Sequence, residues 1–169
     1  MPDRQEELFA EVYRDYFGLI AKTTYAFAAD QSDRDDLFQD ILISLWRALP
    51  QFNTEAKLST YVYRVAQSCA LNWKRSRRRY QRKLEKYVQM PPDPTVAGSP
   101  DDQERLRWLY ARIRELPPVD RTLILLSLDR LGYDEIAEIT GLSEANVGVR
   151  LHRLKQHLIT KSEKIQHEL

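Results

Sequence analysis

Thirteen consecutive residues, MPPDPTVAGSPDD at 90–102, limit what this chain can build. Four of its 8 prolines (Pro91, Pro92, Pro94 and Pro100) fall there, spaced by small and polar residues. Proline lacks an amide donor and has a fixed φ, so neither a helix interior nor a central strand accommodates such a run. The composition favours extended, semi-rigid connecting chain. The 169 residues are thereby divided into two small units. Glycine is scarce: 5 occur, where average usage of roughly 7% would supply about 12. Sheet proteins need glycine-rich turns, so the shortage favours helices. The expected fold is all-α, with two small helical domains at 1–89 and 104–169 joined by a flexible linker at 90–103.

Apolar periodicity supports this division. Leu8, Phe9, Val12, Tyr16, Leu19, Ile20, Thr23 and Phe27 recur at three- and four-residue steps and predict a helix over 5–29. Ser32 is the expected N-cap of a second helix that stops at Pro50, with Asp33, Asp35 and Asp36 in its first turn, where the dipole favours negative charge. A third helix starts near Lys57 or Leu58, carries Leu58, Val62, Val65 and Cys69 as its apolar stripe, and extends towards Val88. Beyond the linker, the pattern resumes from Asp102, breaks at Pro117–Pro118, and continues as helices over 119–130, 133–140 and 144–160.

The formal net charge of +1 conceals an asymmetry. Residues 1–60 carry 6 Lys/Arg against 11 Asp/Glu, whereas residues 71–90 carry 8 Lys/Arg against Glu85 alone. A polyanion suits the second segment and a different partner suits the first. The lone Cys69 excludes an internal disulfide framework and a cysteine-cluster zinc site. No metal-ligand spacing, glycine-rich phosphate loop or nucleophile–base pair is visible, so neither catalysis nor a cofactor is expected. The acidic start MPDRQEELF is no signal segment, and no apolar run reaches the roughly 20 residues of a membrane span. A soluble cytoplasmic protein without membrane insertion is expected.

The most specific local pattern is YDEIAEITGLSEANVGVRLHRLKQHL. A short helix, Gly141 in a left-handed turn and Ser143 as N-cap of a second helix follow the helix-turn-helix plan. Val147, Leu151, Leu154 and Leu158 share the buried face. Ala145, Asn146, Val149, Arg150 and Arg153 lie opposite, where asparagine and arginine can read base edges and an apolar group can meet a thymine methyl. An ordinary capped helical hairpin is the alternative at this point.

In the second helix, Leu37, Phe38, Ile41, Leu42, Leu45 and Leu49 form the buried face. Asp36, Asp40, Ile43 and Arg47 face outwards, flanked by Gln39 and Trp46, as a candidate docking face with Trp46 as anchor. The third helix places Tyr61, Tyr63 and Trp73 beside KRSRRR, the combination of rings and cations that holds single-stranded nucleic acid. At least one of Tyr61 and Trp73 is expected in the core. Tyr63, off the apolar stripe, is the better candidate for a base contact.

Taken in order, DLFQDILISLWRALPQF, LSTYVYRVAQSCALNWKRSRRR and LPPVDRTLILLSLDRLGYDEIAEITGLSEANVGVRLHRLKQHL resemble the bacterial extracytoplasmic-function (ECF) sigma factors over roughly residues 8–88 and 104–160. The resemblance implies a factor that binds core RNA polymerase and directs initiation at promoter DNA. It assigns polymerase docking to Asp36, Gln39, Asp40, Ile43 and Trp46. It assigns the minus-ten element and strand opening to Phe52, Asn53, Lys57, Tyr61, Tyr63, Arg64, Asn72, Lys74, Arg75, Arg77 and Arg78. Minus-thirty-five recognition falls to Ser143, Ala145, Asn146, Val149, Arg150 and Arg153. An anti-sigma factor is an implied partner. Gly148 and Val149 depart from the lysine and small polar residue common in the family, and Tyr61 stands where tryptophan is common. The competing reading is a stand-alone helix-turn-helix regulator that needs no polymerase.

Overall fold

A computed structural model describes residues 3–80 and 98–167, with side chains described for 3–73 and 98–164. Among the described residues every regular element is helical: α1 (Arg4–Phe27), α2 (Gln31–Ala48), a 3-10 turn (Leu49–Gln51), α3 (Leu58–Tyr80), α4 (Pro100–Glu115), α5 (Pro118–Leu128), α6 (Tyr133–Thr140) and α7 (Glu144–His167). None of these helices is long and apolar enough to cross a membrane. The expected extension of α3 to Val88, and the linker residues up to 97, lie outside the described residues.

Local chemistry sets the boundaries. The cap of α2 is Asp30, not Ser32: its carboxylate accepts the Asp33 N–H at 2.8 Å. Ser32 instead lies inside the helix. Arg34 holds the preceding connection by donating to the carbonyls of Ala28 and Ala29. At α4 the helix starts earlier than the apolar pattern predicts, because Ser99 and Asp102 form a reciprocal capping box and Pro100 occupies the first turn, where a missing N–H costs nothing. Pro118 opens α5 in the same way. The corner after α5 passes through Arg130 at φ 61°, a left-handed conformation uncommon for a residue with a side chain.

The N-terminal half packs α1, α2 and α3 around Val12, Ile20, Leu37, Ile41, Leu45 and Val62, all fully buried. Each such large aliphatic contributes about 1.5–3 kcal/mol of transfer free energy. Trp73 is buried, fulfilling the expectation that one of the α3 aromatics belongs to the core. In the C-terminal half, Ile113, Leu123, Leu126, Ile136, Val147 and Leu151 are fully buried between α4, α5, α6 and α7. The halves are also packed against each other, α1 on α4 and α5, and α3 on α5 and α6. Arg114 donates to the Tyr25 carbonyl at 2.9 Å, and the Arg121 guanidinium lies 5.5 Å from the Phe27 ring.

Candidate functional site

The outer face of α2 emerges as the wheel predicts. Asp36, Asp40, Ile43 and Trp46 are exposed and Gln39 is half-buried. Ile43 keeps 47% of its surface accessible and Trp46 39%. The Trp46 ring stands edge-on to Phe9 of α1 at 5.2 Å, and Gln5 Nε2 donates to the Trp46 carbonyl at 2.8 Å. The indole is thus braced from behind while one side remains open. Partial burial, then neighbouring acids, raises the Asp36 and Asp40 carboxyls above the ordinary range. Negative charge here is uncomfortable and ready to meet a cation.

Behind that face, a groove of about 510 Å³ runs between α2 and α3. Asp40 and Ile43 line one wall, Arg64 and Asn72 the other, with Ser44 and Cys69 at its base. Ser44 Oγ lies 3.5 Å from Cys69 Sγ, and burial pushes the thiol up, away from a reactive thiolate.

The segment after α2 is anchored by aromatics. Phe52 tilts against Tyr61 at 5.2 Å, and the Tyr61 hydroxyl donates to the Ala48 carbonyl at 2.6 Å. Asn53 and Lys57 are exposed. Tyr63, expected to be open for a base, is half-buried, and its hydroxyl donates to Asp129 Oδ2 at 2.9 Å. Burial, followed by that carboxylate, raises its phenol, so the hydroxyl remains a donor. Arg64 Nη2 donates to the Glu138 carbonyl at 2.8 Å. These contacts have a simple cause: α3 has a second packing face against α6, and partners 66 and 74 residues away are invisible on a wheel of α3 alone. Lys74, Arg75, Arg77 and Arg78 lie on the last turns of α3, with side chains outside the described residues.

In the C-terminal half, Gly141 takes φ 77° and Ser143 Oγ accepts the Asn146 N–H at 3.2 Å. Val147 and Leu151 are fully buried, and Leu154 and Leu158 half-buried. Ser143, Ala145, Asn146, Val149 and Arg153 are exposed, Val149 at 52%. Arg150 departs from this group. Its Nε and Nη2 both donate to Asp120 Oδ1, at 3.1 and 2.7 Å, turning the guanidinium towards α5. At Gly148 a Cβ would lie 3.3 Å from the Tyr133 ring of α6.

Residues 12–80 match the sigma-70 region 2 family and residues 106–158 the sigma-70 region 4 family. Over 174 residues the chain is 25% identical to "RNA polymerase sigma factor YlaC" of Bacillus subtilis, covering 95% of this chain and 94% of that one. It is also 25% identical over 173 residues to "ECF RNA polymerase sigma factor SigW" of Bacillus subtilis, covering 90% and 88%. The chain belongs to the ECF sigma factors.

Solved structures share the fold of this sigma factor at 19% identity. CnrH, in complex with the cytosolic domain of CnrY, aligns with a TM-score of 0.62 over 92% of this chain and 88% of that one. RpoE, in complex with the anti-sigma factor NepR from Bartonella quintana, aligns with 0.68 over 89% and 93%. Sequence reasoning missed the supporting residues of this sigma factor: Phe9 and Gln5 behind Trp46, Asp120 behind Arg150, and Asp129 against Tyr63. Each partner is far off in sequence, and no local pattern marks it.

Proposed function

We propose that this sigma factor docks on core RNA polymerase through the exposed face of α2 and holds promoter DNA with α3 and α7. The observation that carries the assignment is the groove between α2 and α3, where Asp40 and Ile43 stand across from Arg64 and Asn72. Docking along α2 therefore sets the strand-binding groups at the edge of the polymerase. Phe52, Asn53, Lys57 and Tyr61 contribute the minus-ten pocket, and the cations from Lys74 to Arg78 neutralise phosphates. Ser143, Ala145, Asn146, Val149 and Arg153 meet the minus-thirty-five element. Arg150 supports the recognition helix from behind and reaches a base only after leaving Asp120.

The division into an N-terminal unit at 1–89, a linker that ends where Ser99 caps α4, and a C-terminal unit from α4 onwards belongs to the same proposal. Two DNA-binding units on one tether become selective when polymerase fixes their spacing. Melting requires a cationic track and a site for unstacked bases, so the chain acts by binding and without covalent chemistry. Its place of work is the cytoplasm, with the polymerase. The two fold neighbours described above each carry a partner, which supports an anti-sigma factor as partner here too.

Pull-down with purified core polymerase and run-off transcription from a genomic promoter library test the assignment. The wild-type chain is expected to be retained and to direct specific initiation, and Asp40→Lys to lose both. Retention of neither protein, or equal behaviour of both, overturns the docking face. Tight promoter binding without polymerase favours the stand-alone regulator.

A further inference from the structure

Arg34, Arg114 and Arg121 converge on the junction of α1, α2, α4 and α5 with no carboxylate between them. Arg34 donates Nε to the Ala28 carbonyl at 3.2 Å and Nη2 to the Ala29 carbonyl at 2.9 Å, and its guanidinium stands 4.1 Å over the Tyr25 ring. Arg114 donates Nη1 to the Tyr25 carbonyl. Arg121, only 4% exposed, donates Nε to the Leu116 carbonyl and faces the Phe27 ring. Among the described residues none of the three forms an ion pair. Nearby acids are used elsewhere: Glu115 holds Arg112 and Lys161, Asp120 holds Arg150, and the Asp30 carboxylate takes the Asp33 N–H.

Capping accounts for little of this charge. A helix C-terminus carries about −0.5 of an elementary charge, so three guanidinium groups around the end of α1 leave roughly +2.5 uncompensated. Burial, then the charge of Arg34, pushes the Arg114 guanidinium below the ordinary arginine range. Burial, then Arg114, does the same to Arg121. The start of α5, one turn from Arg121, has no side-chain cap and adds its positive dipole end. Each guanidinium has five N–H donors, and the carbonyls named above take only two from Arg34 and one from each of the others. The junction therefore has the charge and the donors for an anion.

We propose that Arg34, Arg114 and Arg121 form a binding site for a short chain of phosphates, inorganic or carried by a nucleotide. Guanidinium forks match phosphate oxygens, and a row of three suits more than one phosphate. A guanidinium as buried as that of Arg121 is out of reach of a DNA duplex, whereas a small polyanion can enter between helices. Tyr110, tilted against Tyr25 at 5.8 Å, places a further ring beside the cluster. The site uses none of the residues assigned to polymerase or promoter, and it stands whether or not that reading does.

The test is isothermal titration of the full-length chain, in low-salt buffer, with sodium tripolyphosphate, ATP and orthophosphate. Tripolyphosphate is expected to bind more tightly than orthophosphate, and to raise the melting temperature more than sodium chloride of equal ionic strength. Arg114→Gln is expected to weaken tripolyphosphate binding about tenfold or more, because a charged hydrogen-bond donor is lost. Arg105→Gln, an exposed change elsewhere on α4, removes the same charge and is expected to match wild type. ATP binding equal to that of tripolyphosphate supports a site for the phosphates alone, and tighter binding supports one that also holds the nucleoside. Absence of tripolyphosphate binding, or equal weakening in Arg105→Gln, overturns the site. Displacement of tripolyphosphate by oligothymidylate also overturns it, by making the cluster part of the DNA surface. Phenylglyoxal labelling of the wild type, mapped by mass spectrometry, gives a readout that needs no variant to fold. Tripolyphosphate is expected to protect Arg34 and Arg114 and to leave Arg105 reactive; equal labelling with and without it overturns the site.

Discussion

Arg150 of α7 is tied to Asp120 at the start of α5, with two guanidinium nitrogens on one carboxylate oxygen. Arg153, one turn further along, is exposed. Two arginines on the same helix therefore have different work, and their alanine variants separate it. Arg150→Ala is expected to lower the unfolding free energy by about 1–2 kcal/mol, read from urea melts, as a partly shielded charged hydrogen bond is lost. Arg153→Ala is expected to leave stability within about 0.5 kcal/mol. It should weaken minus-thirty-five binding by about 1–3 kcal/mol if its guanidinium spans a guanine edge, measured with the polymerase holoenzyme.

The acidic face of α2 predicts a conflict between stability and docking. Asp36 and Asp40 have carboxyls raised in the folded state, chiefly by burial. A raised folded value means that the stabilisation they give is present in acid, with the proton on, and is lost as pH rises through that value. With the proton off, both carboxylates count against the fold. Asp40→Asn is expected to raise the melting temperature at pH 7 and shrink the gain on acidification, while reducing retention by core polymerase. A lower melting temperature at pH 7 contradicts the sign.

Gly141 at the end of α6 and Gly148 within α7 should respond oppositely to alanine. At Gly141 space is open but φ is 77°, so Gly141→Ala is expected to cost about 1–2 kcal/mol from left-handed strain. At Gly148 the backbone is helical and alanine brings up to about 1 kcal/mol of helix propensity. The opposing contact is the Tyr133 ring at 3.3 Å, and that side chain is 47% exposed and can shift outwards. Gly148→Ala is expected to be net stabilising by a few tenths of a kcal/mol, measured by thermal melts.

Neutralising Arg77, Arg78 and Arg79 together is expected to flatten the dependence of promoter binding on salt, since each lost phosphate contact removes nearly one released counterion. Binding constants of the holoenzyme across a salt series measure the slope. An unchanged slope means that these cations do not meet phosphates.

Helix order and the outward position of Ile43 were legible because each is a periodicity within one element; on α3 the stripe was read one position off, since Val62, Ala66, Ala70 and Trp73 are buried while Leu58, Val65 and Cys69 are half-buried. The Ser143 cap and the Gly141 turn were legible for the same reason: cap and helix are sequence neighbours. The Asp30 cap was missed because two candidate cap residues lie within three positions, and hydrogen-bond geometry alone chooses between them. The partners of Tyr63 and Arg150 were hidden for a different reason. A wheel separates an apolar face from a polar one but does not show that the polar face is covered by another element. Tyr63 meets Asp129 across 66 residues and Arg150 meets Asp120 across 30, and both pairings exist only once the helices are stacked.

The corner at Arg130 gives the fold an aiming device. A left-handed residue with a side chain costs roughly 1–2 kcal/mol more than glycine there, and it also has a narrower range of angles. The carboxylate delivered just before that corner and the helix pair that follows it consequently share one fixed bearing. Relaxing the corner with Arg130→Gly should therefore loosen the aim of both together.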